Sequence, residues 1–313
     1  MLKNLLEEKR CFKLICGAGN ENEAEVEKLV ALYASAGCKF FDLSAKENIV
    51  DCAKQALDYA GVTDAELCVS VGIKGDPHVS KAVIDYEKCI KCGHCESVCP
   101  QGAIKYAKVK KLKCIGCGKC SKVCPKNAVS YISEDKDLSE VIPPLAERGI
   151  SCIEFHVIGE DTPELEQKWK YLNKNFDGIL SISINRMKLS GEEMVSRIKK
   201  MTENREPYST IIQADGFPMS GGADDYKSTL QAVATAELIQ NEKLPVYILL
   251  SGGTNSKSKE LAKLCRININ GVAVGSYARN IVRKYIERDD FLTNKEIFSQ
   301  AKEIAQALVR ACS

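Results

Sequence analysis

The chain has 313 residues, 45% of them hydrophobic and 27% charged, with a formal net charge of +2. That balance is ordinary for a globular protein, and the length suits one large α/β domain or two smaller ones. No apolar run approaches the roughly 20 residues that cross a bilayer, and MLKNLLEEKRCFKL lacks a signal-peptide core. A cytoplasmic protein without membrane contact is therefore expected.

Read in order, short apolar runs alternate with helical periodicities outside one cysteine-rich segment. FKLICGA predicts a strand, followed by a helix over 21–37 in which Val26, Leu29, Val30 and Tyr33 share a face. KFFDLSA predicts the second strand, a helix runs to Gly61, and LCVSVGI predicts the third strand. Beyond the cysteines come a short helix to Arg148, the strand CIEFHVIG, and a helix opening at Thr162, Pro163 and Glu164. GILSISIN, STIIQADGF, PVYILLSGG and GVAVGSYA follow as strands, separated by helices over 190–204, 226–241 and 258–265, with helices to the C-terminus. Eight strand-like runs, each with a helix after it, predict a (β/α)8 barrel; an open doubly wound sheet is the alternative. Two features favour the barrel. Polar residues alternate within strands that helices should cover: Glu154 with His156, Ser181 with Ser183 and Asn185, Gln213 with Asp215. Glycines also cluster after the seventh and eighth strands, where barrels often hold phosphate.

The cysteine-rich segment writes one pattern twice. CIKCGHCESVCPQGAIKY and CIGCGKCSKVCPKNAVSY each read C-x2-C-x2-C-x3-C-P, the run of bacterial ferredoxins with two [4Fe–4S] clusters. In that run three thiolates surround one cluster and the fourth crosses to the other. Cys89, Cys92, Cys95 and Cys124 are thus assigned to one cluster, and Cys114, Cys117, Cys120 and Cys99 to the second. Two full copies closed by proline speak against zinc or disulfides. His94 is not needed as a ligand, since Lys119 stands at its position in the second copy. The other cysteines (Cys11, Cys16, Cys38, Cys52, Cys68, Cys152, Cys265, Cys312) are expected as small, mostly buried hydrophobes.

The segment begins just past the third strand, so it predicts a small α+β ferredoxin-like domain over residues 76–132, inserted into a discontinuous barrel of residues 1–75 and 133–313. A strand-to-helix connection leaves from the C-terminal face, where active sites lie in both candidate folds. Between Lys81 and Glu134 there are eleven lysines against four acids, Asp85, Glu87, Glu96 and Glu134. The excess offsets cluster charge or forms a docking face for an acidic carrier such as ferredoxin or flavodoxin. Nucleic acid is disfavoured, because only Tyr106 and Tyr131 interleave the lysines.

With FKLICGA, the paired cluster motifs, QADGFPMSG, LSGGTN and GVAVGSYAR, most of the chain resembles the light-dependent-period (LdpA-type) iron–sulfur proteins. The resemblance implies two [4Fe–4S] clusters and redox sensing, tied in photosynthetic bacteria to the circadian clock. It implies no defined reaction, and nothing in these residues indicates a clock or such a host.

Candidate site residues lie at strand ends. Glu154 and His156 point the same way and form an acid–base pair or an interior salt bridge. Asp42 and Asp215 bind a ligand or cap the next helix. Gly252, Gly253, Gly275, Ser276 and Arg279 form an anion site for FMN or another phosphate-bearing ligand, or else two tight turns and a surface arginine. GAGN at residues 17–20 reads as a plain turn, and Cys16 as packing or a thiol at the mouth. Two functions follow: an oxidoreductase passing electrons to a ligand in the barrel mouth, or a redox sensor or carrier without turnover.

Overall fold

A computed structural model of the chain describes residues 1–73, 80–133, 137–157, 163–216 and 224–313. The chain opens with α1 (Leu2–Glu7), β1 (Cys11–Ile15), α2 (Glu23–Ser35), β2 (Phe40–Ser44), α3 (Glu47–Tyr59) and β3 (Glu66–Gly72). The cysteine-rich part holds β4 (Ser80–Ile84), α4 (His94–Ser97), β5 (Ile104–Lys105), β6 (Lys108–Val109), α5 (Lys119–Lys122) and β7 (Val129–Ser133). The series resumes with α6 (Leu138–Glu147), β8 (Cys152–His156), α7 (Pro163–Asn175), β9 (Ile179–Ile184), α8 (Gly191–Thr202) and β10 (Thr210–Asp215). It ends with α9 (Tyr226–Asn241), β11 (Tyr247–Ser251), α10 (Ser258–Leu264), β12 (Gly271–Val274), α11 (Ser276–Ile286) and α12 (Lys295–Cys312).

Eight parallel strands close as β1-β12-β11-β10-β9-β8-β3-β2. The open doubly wound alternative is thereby overturned, because β1 pairs with β12, from Cys11 opposite Gly271 to Leu14 opposite Val274. Closure needs glycine at Gly271, since a Cβ there would collide with the Cys11 carbonyl. β3 and β8 are direct neighbours, Cys68 opposite Cys152, so the cysteine-rich part is an insertion after the third strand.

The barrel has two apolar regions. Outward strand residues and the helices form the larger core, from Phe12 and Leu14 to Leu308 and Val309. The second fills the base of the lumen: Cys11, Phe40, Cys68, Cys152, Ile179, Ile211, Tyr247 and Leu249, closed from below by Leu2 and Leu6 of α1. That helix is not anticipated from the sequence. It is held by Leu2 N donating to Glu66 Oε1 at 2.9 Å and Asn270 Nδ2 donating to the Leu6 carbonyl at 2.9 Å. Of the eight cysteines outside the cluster motifs, only Cys265 is exposed. Cys16 is fully buried in the outer core, the packing reading of that thiol.

The insertion stands on an antiparallel ribbon, β4 with β7, Ser80 opposite Ser133. The expected boundary at Asp76 and the acid Glu134 lie outside the described residues, as do Thr162 and Phe217–Gly221 of the QADGFPMSG stretch. No described helix is long and apolar enough to cross a membrane.

Candidate cluster sites and barrel mouth

The two cysteine copies fold alike. Gly93 and Gly118 take left-handed φ of 80° and 77° and open the short helices α4 and α5. Four residues after the last cysteine of each copy, a backbone amide donates to its sulfur: Ala103 to Cys99 and Ala128 to Cys124, both at 3.2 Å. Such bonds favour the thiolate that iron requires, and the amides beside Cys124 hold its thiol below the usual value. Ala82 N likewise donates to Cys114 Sγ at 3.4 Å.

Cys89, Cys92, Cys95 and Cys124 line one cavity of about 220 Å³, together with Ile90, Lys91, His94 and Tyr106. Cys124 comes from the second copy, and Cys99 does not line this cavity. The crossed grouping expected from the motif is therefore present in the folded chain, and the donor set suits an iron–sulfur cluster. Around the other group, Tyr131 Oη approaches Cys120 Sγ at 3.1 Å, and Cys114 and Cys120 are buried.

The insertion docks on the barrel through that second group. Lys81 of β4 is 6% exposed; its ammonium donates to the Cys114 carbonyl at 2.9 Å and to the Gly19 carbonyl of the β1–α2 loop, and lies 3.6 Å from Glu21. Glu21 N donates to the Leu112 carbonyl at 3.1 Å, and Arg283 of α11 donates to the Pro100 carbonyl at 2.9 Å. Ile115, next to the cluster ligand Cys114, reaches the barrel mouth.

There it helps enclose a pocket of about 100 Å³ that also takes in Gly17–Gly19, Glu154, His156, Asp215, Gly252, Gly253, Gly275, Ser276 and Arg279. Every residue proposed for catalysis or anion binding thus lines one space. Gly252 and Gly253 take φ of 63° and 80°, and a Cβ on Gly252 would strike the backbone of Gly216. Gly275 offers α11 no side-chain cap, so the amides at its first turn are open to a ligand.

Two expectations are corrected. The helix after the eighth strand starts at Ser276 rather than near Arg279, and Arg279 is no surface arginine: at 5% exposure it donates to the Cys16 carbonyl and contacts Glu25. Its Nε lies 2.6 Å from Glu25 Oε1, but the angle makes this an ion contact rather than a directed hydrogen bond. Asp42 and Asp215 do not cap helices either. Asp225 caps α9, and α3 has no side-chain cap; both aspartates point into the lumen.

What sequence reading missed is Lys13. Midway along β1 and fully buried, its ammonium lies 3.0 Å from Gln213 Oε1, 3.8 Å from Asp42 Oδ2 and in contact with Glu154. Burial opposes the charge, but Asp42 and Glu154 outweigh it and hold the lysine protonated. Glu154 also contacts His156 Nε2 at 3.0 Å. Burial acts against its ionisation, yet Lys13 and His156 bring its carboxyl down to about 2. Asp42 and Asp215 are pushed up to about 6, chiefly by burial. Ser70 donates to Asp42 at 2.7 Å, and Ser183 donates to Asp215. Asp42, Cys68 and Glu154 bring three donor atoms within 4.8 Å, but the Lys13 ammonium already supplies the positive charge there. Fixed charge below and two carboxyls poised near pH 6 above make a site that can hold a polar ligand and exchange protons with it.

A parallel barrel carrying a 4Fe–4S dicluster domain at its catalytic face is an iron–sulfur protein of the redox class, and the 4Fe–4S dicluster domain model matches residues 82–131. The light dependent period A C-terminal domain model matches residues 144–313. The light dependent period A protein of Synechococcus elongatus is 30% identical over 293 residues, covering 88% of this chain and 82% of its own. The chain belongs to the light dependent period A family. Among solved structures, the YdjI aldolase of Escherichia coli K12 is similar in fold, with TM-score 0.50 and 8% identity over 98% of this chain and 94% of that one.

Proposed function

We propose that the chain is an electron-transfer oxidoreductase in which the dicluster domain exchanges electrons with a ligand held in the barrel mouth. The observation that carries this is Ile115: the neighbour of a cluster ligand is also a wall of the pocket that holds Glu154, His156, Asp215 and Arg279. Bound [4Fe–4S] clusters supply one-electron transfer. The residues supply the rest. Gly252, Gly253 and the first turn of α11 receive an anionic end such as the phosphate of FMN; at about 30 Å³ per water, the pocket has room for about three waters or one such group. Asp215 and His156 accept or return protons as ligand charge changes, and Lys13 holds Glu154 in place beneath them.

A second reading, a redox sensor without turnover, is supported by membership in a family named for a light-dependent period, a matter of timing rather than of reaction. Anaerobic purification followed by iron, sulfide and flavin analysis separates the two. The first reading expects FMN or inorganic phosphate to raise the Tm of the cluster-loaded protein, and an added or copurified flavin to be reduced by the dithionite-reduced chain. An Ile115→Trp variant, which fills the pocket, should lose both effects. If neither ligand shifts the Tm and no flavin is reduced, the sensor reading stands.

A further inference from the structure

The two cysteine copies superpose residue for residue in sequence, and the barrel seats on only one of them. Ile115 and Gly116, following Cys114, are turned to the barrel: Ile115 walls the pocket and Gly116 is buried. The matched residues of the first copy, Ile90 and Lys91 after Cys89, face solvent, with Ile90 59% exposed. The backbone conformation is the same in both, φ 63° at Gly116 and 55° at Lys91. Glycine takes this left-handed conformation freely; lysine bears a steric cost there, yet the first copy has the lysine.

The surroundings of Ile90 form an apolar centre with a basic rim. Tyr106, 81% exposed at the tip of the β5–β6 hairpin, lines the same cavity as Ile90 and Cys92. Lys91 and Lys126 line that cavity, and Lys105 and Lys108 flank Tyr106. Two nearby acids are already engaged: Asp85 pairs with Lys88 at 3.0 Å, and Glu96 accepts the Tyr106 amide at 2.9 Å. An apolar patch rimmed by unopposed cations suits a partner whose own rim is acidic.

Resting on the reading of the chain as an electron-transfer protein, the geometry points to the face around Ile90, Lys91 and Cys92 as the seat of a small acidic electron-carrier protein. The first copy thereby presents to an external protein the surface that the second copy presents to the barrel. The exchange is one electron, lost by the reduced carrier and gained at the Cys89, Cys92, Cys95 and Cys124 site; no bond is made or broken.

The test uses the full, cluster-loaded chain and an acidic flavodoxin as probe. Reduction is followed by stopped flow, and binding of the oxidised flavodoxin by calorimetry, across a range of salt. Lys91→Gly copies the residue at Gly116 and removes backbone strain, so it should fold; a few-fold loss in rate and affinity is expected. Combining Lys91→Gly with Lys105→Glu and Lys126→Glu should cost at least tenfold in both and flatten the salt dependence. Iron content and reduction by dithionite should stay as in the wild type. Reversing Lys199 and Lys263 on the barrel should change nothing. Unchanged affinity in the triple variant, or an equal loss from the barrel reversals, overturns the proposal. So does a dimer in sedimentation that Ile90→Glu dissociates, because the face would then seat a second copy. Should flavodoxin dock and reduce the chain while no barrel-mouth ligand is reduced, the proposed function fails and the docking face stands.

Discussion

Ile90 and Ile115 hold the same place in two copies of one motif, but one faces water and the other closes the barrel pocket. Local structure does not separate them. Both copies have a left-handed glycine before a four-residue helix and an amide donated back to the final cysteine. The difference lies in what packs against them: Lys81, Glu21 and Arg283 seal the second copy to the barrel, whereas the first keeps Cys92 and a lysine rim exposed. Ligand spacing thus sets where iron is held, and tertiary docking sets which way each site faces.

The harshest trial of that contrast is to cut the crossing. In Cys99→Ser, the cluster held by Cys114, Cys117 and Cys120 should be lost, and iron should fall from about eight to about four atoms per chain. Cys124→Ser should spare that cluster and damage the other. Electron paramagnetic resonance of the two variants distinguishes them, and the opposite pairing would dissolve the distinction between an outward and a barrel-facing site.

A gentler change touches the seam alone. Lys81→Met removes a buried cation from two carbonyls and Glu21, and should cost about 2–3 kcal/mol in chemical denaturation. With that positive charge gone, the potential of the second cluster should drop by tens of millivolts while the first holds steady. Equal shifts in both would mean that Lys81 does not belong to the second copy's surroundings.

The smallest effect comes from the mouth itself. Burial lifts the Asp215 carboxyl to about 6, so between its ordinary value near 4 and 6 the folded chain retains a proton that the unfolded chain has released. On this group's account stability falls as pH rises through that window. Asp215→Asn should therefore gain about 1–1.5 kcal/mol relative to wild type between pH 5 and 7.5. Glu154 works in the opposite sense: held at about 2, it contributes stability above its ordinary range that is lost as pH falls toward 2. A pH-independent difference between Asp215→Asn and wild type would remove Asp215 as a titrating group of the barrel-facing side.

Much of this was legible beforehand because it is local. Strand and helix periods predicted eight βα units, and the cysteine spacing carried its own chemistry. Glu154, His156 and Asp215 stood out as polar residues inside strands. Lys13 did not, since a single lysine in FKLI reads as a flaw in an apolar run. Its role emerges only when strand register puts it beside Asp42, Glu154 and Gln213, far away in sequence. Arg279 was misplaced for the same reason: its partners Cys16 and Glu25 come from the opposite end of the chain. Nothing in the sequence marks Ile115, whose importance lies in where the insertion lands. The helix α1 is too short for its period to register, and the open lumen it covers is what orders it.

The strands either side of the insertion, β3 and β8, are bonded to each other in full register, and the ribbon β4–β7 runs out and back beside itself. In genetic terms, the dicluster domain is a cassette. A single in-frame event could add it without altering any pairing of the barrel, and another could remove it. The seam is what would have had to be invented afterwards: Lys81 on the cassette, Glu21 and Arg283 on the host. Natural selection for coupled redox behaviour would leave its trace at those positions and not at the barrel's own joints.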